Sequence, residues 1–267
     1  MSSASQSVIY EYPLQERFRT YLRLEHSFKQ LQSTLAIAED QSHDWQQTIE
    51  PRYEAFFNAL FACQELVERS DIRTELSKDL EQQRVSMKQW EKHPQIDQTA
   101  LQGALRSIVH ASESLQQLPA ELRQLKADRF LASIRTRLAQ PGISGLFELP
   151  QLQLWLNQPV ADAMHQCQQW YQSLQPLAAA IELQLELTRQ QSEFTSTTAK
   201  NGFWQESCEP LAMLRIKVPN SAGCYPVVSG HRQRFTIRFM QLPTDNDEQT
   251  DASSDDLSVA IARCQLL

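Results

Sequence analysis

Residues 229–243 read SGHRQRFTIRFMQLP. From Arg234 to Phe239 the segment alternates. Phe235, Ile237 and Phe239 share one parity; Arg234, Thr236 and Arg238 share the other. Successive side chains of a β-strand point to opposite faces, so this is a strand with an apolar face and a basic face. The same texture recurs nearby. MLRIKV, 213–218, sets Leu214, Ile216 and Val218 against Arg215 and Lys217. YPVV, 225–228, and LSVAIAR, 257–263, are further strand candidates, rich in β-branched residues.

Before about residue 192 the period is different. After Pro13, Leu14, Phe18, Tyr21, Phe28, Leu31 and Leu35 recur at helical spacing. A second helical segment carries Trp45 through Leu66 and is broken or begun near Pro51. A third follows Ser70 or Asp71 and ends near Trp90. Asp97 opens a fourth, and ADRFLASIRTRLAQPG, 127–142, is a shorter fifth. LPQLQLWLNQP is a short helix or turn, and 159–191 is helical with a break at Pro176. The expected class is α+β. A mainly α-helical bundle domain, 1–192, precedes a small antiparallel β-domain, 193–267, of four or five strands whose apolar face packs on the bundle.

The chain has 267 residues, a formal net charge of −7, six glycines and five cysteines. So few glycines argue against a doubly wound nucleotide fold. The cysteines include no C-x-x-C pair, which points to reduced thiols without a clustered metal site. The N-terminus lacks the basic and apolar regions of a signal peptide, and no run approaches a membrane span. These features imply a cytoplasmic protein that does not enter a membrane.

The charge is unevenly placed. Residues 210–244 hold Arg215, Lys217, Arg232, Arg234 and Arg238 and no acid; TDNDEQTDASSDD, 244–256, holds six acids and no base. That acidic run has the composition of a disordered loop joining the last two strands. Other candidate arginines are Arg19 and Arg23 on the first helix, Arg69 and Arg73 between the second and third, and Arg129, Arg135 and Arg137 on the fifth. Arginine suits bidentate recognition of carboxylates. A nucleic-acid-binding module using the basic sheet face is the alternative. Against it, Phe235 and Phe239 have the parity opposite to the arginines, whereas RNA-binding sheets expose both on one face. Catalysis has thin support: Cys224 and His231 are near in sequence, but no hydrolase, zinc-protease or phosphate-loop motif occurs.

Six blocks, in order, carry a resemblance: YEYPLQERFRTYLRLEH, RTELSKDLEQQ, DRFLASIRTRLAQPG, ELPQLQLWL, NGFWQ and YPVVSGHRQRFTIRFMQL. Together they resemble the ZapD family of Z-ring-associated cell division proteins over residues 8–243. The resemblance implies an α-helical domain with a small β-domain, a homodimer, no cofactor and no catalysis. It implies a partner, the tubulin-like division protein FtsZ, bound through its C-terminal tail. Cross-linking and bundling of FtsZ filaments at the midcell Z-ring would follow, with no nucleic acid and no membrane as partner. Partner-binding residues in the matching blocks are Arg23, Arg129 and Arg234, then Arg19, Arg69, Arg73 and Arg238. The family slot that often holds His in LPQLQLWL is Gln153 here.

Overall fold

A computed structural model describes residues 6–39, 45–92, 96–139, 146–231, 234–242, 253 and 255–266. Most of the acidic run lies outside them, as do Arg232 and the His231 side chain. The described chain is α+β, as its periodicities require. It divides into two compact units: Met1–Thr20 with Leu185–Leu267, and Tyr21–Gln184. The dividing points fall inside two helices, so the first residues group with the C-terminal strands. The expected boundary at 192/193 had placed them with the helices.

In the helical unit, α1 (Glu16–Glu39) leads into α2 (Trp45–Arg69) and α3 (Ile72–Gln89). Pro51 lies within α2 without breaking it. As the seventh residue of the helix it lies past the first four positions, whose N–H groups have no acceptor, so the helix continues there without one i→i−4 hydrogen bond. Helix α4 (Gln98–Ser114) starts where the Asp97 carboxylate accepts from the Thr99 and Ala100 N–H groups. A ten-residue helix, α5 (Leu118–Ala127), follows, with Pro119 in its first turn. Helices α6 (Arg129–Leu138), α7 (Pro150–Leu156), α8 (Val160–Gln172) and α9 (Gln175–Gln190) complete the series. The break between α8 and α9 places Pro176 in the first turn of α9, where it costs no hydrogen bond.

Rings form much of this unit's core. Phe57 of α2 meets Trp155 of α7 at 5.5 Å and Trp170 of α8 at 5.8 Å; Phe130 of α6 stacks on Trp170 at 5.8 Å. Such ring pairs add about 0.5–1.5 kcal/mol each beyond area burial. Tyr21 donates its hydroxyl to buried Asp79 at 2.9 Å, tying α1 to α3.

Among the described residues the β-unit has seven strands: β1 (Ser7–Pro13), β2 (Thr195–Ala199), β3 (Phe203–Ser207), β4 (Leu211–Pro219), β5 (Cys224–His231), β6 (Arg234–Gln241) and β7 (Leu257–Gln265). They form two antiparallel sheets. One has the order β1-β4-β7-β2 and the other β3-β6-β5. Residues of both sheets share one buried core: Leu214, Ile216, Val259 and Ile261 from the first meet Val228, Phe235, Ile237 and Phe239 from the second. The single sheet packed on helices gives way to a sandwich, because two apolar faces of like size bury each other. Arg263 of β7 spans the layers and donates twice to Glu206 of β3, at 2.6 Å each. This hydrogen-bonded pairing holds the Glu206 carboxyl below its usual range, and the Trp204 indole N–H donates to it as well.

Asn201 and Gly202 turn the chain between β2 and β3 with positive φ. Gly202 is also needed for space, since a Cβ there would lie 2.3 Å from the Ser253 carbonyl oxygen. Ser253 N–H donates to the Phe239 carbonyl and Gly202 N–H to that of Asp255. The far end of the acidic run is thereby fixed at the rim of the three-stranded sheet.

Candidate partner-binding surface

Strand β6 is central in the three-stranded sheet, so both neighbours fix its facing. Phe235, Ile237 and Phe239 are fully buried, while Arg234 and Arg238 are exposed, as the alternation requires. Arg234 pairs in register with Ser207 and His231, Thr236 with Gln205 and Ser229, and Arg238 with Phe203 and Val227. Paired residues share a face. Four residues of strand set the two arginines about 13 Å apart. Among the described residues, no carboxylate holds either guanidinium.

The basic positions of β4 do not join them. Strand β4 lies in the other sheet, so Arg215 and Lys217 lie on the opposite outer surface of the sandwich. The like alternation of MLRIKV and RFTIRF suggests one basic sheet face; the two-layer packing puts them in different sheets. Arg215 is also taken up structurally. Its Nε donates to Glu11 Oε1 at 3.0 Å, and its guanidinium lies 5.1 Å over Phe194. Arg189 at the end of α9 donates to both oxygens of the same carboxylate, at 2.8 and 2.7 Å.

The remaining predicted arginines split between the units. Arg19, in the β-unit, pairs with Glu16 at 3.2 Å and lies over Tyr12. Arg23, Arg69, Arg73 and Arg129 belong to the helical unit and are exposed. Arg69 pairs with Glu65, whereas among the described residues no ion pair or side-chain hydrogen bond engages Arg23, Arg73 or Arg129. Arg129 opens α6, and its position is tightly set. One Asp128 oxygen caps that helix, and the other accepts from the Trp170 indole at 2.9 Å. Asp128 and Phe130, on either side of it, line a cleft of about 470 Å³ that also reaches Trp155 and Trp170. Gln153 is exposed on α7. Arg135 differs, because Glu68 holds it at 3.0 Å and is itself pulled to lower pKa by that bond.

Cys224 and His231 do not come together. They lie at opposite ends of β5 and on opposite parities, and Cys224 is buried against the sandwich core, which pushes its thiol up. Phe203 and Val227, 40% and 47% exposed, are surface residues that the sequence reading missed. The alternation of GFWQES carried the signal for Phe203, but its facing depended on knowing β6 to be its neighbour.

A family model described as ZapD, cell division protein, matches residues 22–238. The chain belongs to the ZapD family. A ZapD of Idiomarina loihiensis is 52% identical over 264 residues, covering 98% of both chains. The ZapD of Vibrio vulnificus is 36% identical over 255 residues, covering 96% of this chain and 98% of that protein. A Shewanella ZapD is 38% identical over 247 residues, covering 92% and 95%. All three are named cell division proteins, and membership places this chain's role in cell division. No helix among the described residues is long and apolar enough to cross a membrane.

Proposed function

We propose that this protein is a non-catalytic adaptor of the cytoplasmic division site, binding the C-terminal tail of FtsZ and cross-linking FtsZ filaments as a homodimer. The observation that carries the reading is the pair Arg234 and Arg238, exposed on one face of a central strand with no carboxylate partner among the described residues. Side chains held in a sheet are pre-placed, so an acidic segment docks without ordering them first. Arg23 and Arg129 are the further contacts on the helical unit, with Arg73 beside them in rank. Arg19 and Arg69 contribute less, since each already has an acidic neighbour.

Exposed ion pairs contribute about 0–1 kcal/mol each, so one tail binds weakly and salt weakens it further. A homodimer presents two such faces. Along a filament with many tails, the second contact forms at high effective concentration, and modest single-site affinity becomes stable bundling. The test is co-sedimentation with FtsZ polymers. Arg234→Glu should abolish co-pelleting and bundling at low salt; wild-type bundling by the variant would refute the reading.

One observation favours the second reading, a single-stranded nucleic acid on the same face. Phe203 is exposed beside Arg238, in the arrangement that stacks bases. A chain with net charge −7 is the poorer match to a polyanion.

A further inference from the structure

The outer face of the three-stranded sheet is not uniformly basic. Around Arg234 it is polar, with Ser207, Thr236 and Ser229. Around Arg238 it is apolar: Phe203 and Val227 flank that arginine in register on its two sides. Leu242 follows β6 at the same end and is 74% exposed. It helps line a groove of about 440 Å³ with Val8, Tyr10 and Tyr225. Phe203 and Val227 have no role in packing the sandwich, since the opposite parity of β3, β5 and β6 faces the core. Apolar side chains exposed on both sides of one arginine, next to a further exposed leucine, are a candidate interaction surface.

We infer that the segment recognised by this face is an extended acidic peptide with a large apolar residue among its acids, its carboxylates meeting Arg234 and Arg238 and its apolar side chain covering Phe203 and Val227. The inference rests on the proposed tail binding and adds the chemistry of the tail. Charge complementarity selects the acids. The apolar flanks then decide among acidic segments, because a purely acidic peptide would leave Phe203 and Val227 wet around the ion pair. A covering apolar group excludes that water and lowers the local dielectric, which strengthens the Arg238 contact as well. Phe203 and Val227 are therefore specificity residues, and Arg234 and Arg238 supply the salt-dependent attraction.

Fluorescence-anisotropy titration of the full chain tests this with two labelled 12-residue peptides (a length chosen to span the face, about 13 Å between arginines). In one, every second residue reads Glu-Glu-Ser-Ser-Glu-Glu with Ser between them; the other has Leu in place of the two Ser that share a face with the Glu, since alternate side chains of an extended peptide point the same way. The apolar peptide should bind about tenfold more tightly, a difference easily read in Kd. Phe203→Ser with Val227→Ser should erase that preference while leaving the salt dependence of the acidic peptide intact. Phe203→Leu, which keeps an apolar side chain, should preserve it and guards against a folding defect. Equal affinity for the two peptides, or a preference that survives the double substitution, overturns the inference while leaving tail binding standing. Failure of both peptides to bind, or binding unaffected by Arg234→Glu with Arg238→Glu, overturns the tail reading itself. Displacement of the apolar peptide by oligothymidine or by phosphatidylglycerol vesicles would instead assign the face to nucleic acid or to lipid and sink the inference.

Discussion

On the outer surface of the four-stranded sheet, Arg215 is clamped by Glu11, which also holds Arg189, and it lies over Phe194. On the outer surface of the three-stranded sheet, Arg238 stands between Phe203 and Val227 with no acid beside it among the described residues. Both arginines alternate with buried apolar residues on their strands. The difference is made by the neighbouring strand. β1 brings a carboxylate opposite Arg215 in register, and neither β3 nor β5 brings one opposite Arg234 or Arg238. Glu206 does lie on β3, but on the inward parity, where Arg263 takes it. An arginine with a local carboxylate serves stability; one held out without it is available to a partner.

The sharpest way to break this contrast is to remove the carboxylate that defines the structural side. Glu11→Ala removes the carboxylate that Arg189 and Arg215 share, and their side chains are only about one-fifth exposed. It should cost about 2–4 kcal/mol in urea unfolding. Its tail affinity should be unchanged where the variant is folded. On the other side, Arg234→Glu with Arg238→Glu should lower affinity for an FtsZ tail peptide at least about tenfold. The same double variant should unfold within about 0.5 kcal/mol of wild type, as exposed substitutions do.

A smaller effect follows from the inter-sheet pair. The Glu206 carboxyl is depressed in the folded protein, chiefly by its hydrogen bonds from Arg263. Its contribution is therefore present above the unfolded carboxylate value of about 4.3 and is lost as pH falls through the folded value. Glu206→Gln should destabilise by about 1 kcal/mol at pH 7 and show a flatter acid limb than wild type in unfolding between those values. Identical pH profiles would remove the pair from the account. The smallest effect is expected at Lys217, exposed on the outer surface with Arg215. Lys217→Ala should change stability by less than about 0.5 kcal/mol and tail binding not at all. A clear binding loss there would move the partner surface to the wrong sheet.

Much of this was legible in the residues themselves. Periodicity located most helices, Asp97 marked a helix start through its cap, and alternation assigned each side chain of β6 to its face. Alternation within a strand says nothing of the strand beside it. That is why β4 and β6 were read as one basic face and why Phe203 and Val227 went unnoticed. The short segments SVIYEYP and TSTTA form edge strands through pairing with β4 and β7, partners some 200 and 60 residues away, which local pattern does not encode. Asp128 was legible as a boundary but not as the acceptor of the Trp170 indole, because that bond depends on how α6 and α8 pack.

The central claim is that Arg234 and Arg238 are free in order to be met by an acidic tail. Titration of the full-length protein with an isolated FtsZ C-terminal peptide, at low and at raised salt, addresses it most directly. The account predicts weak, salt-sensitive binding by wild type and by Lys217→Ala, and loss of that binding in Arg234→Glu with Arg238→Glu. Binding by the double charge-reversal variant at wild-type affinity would contradict it.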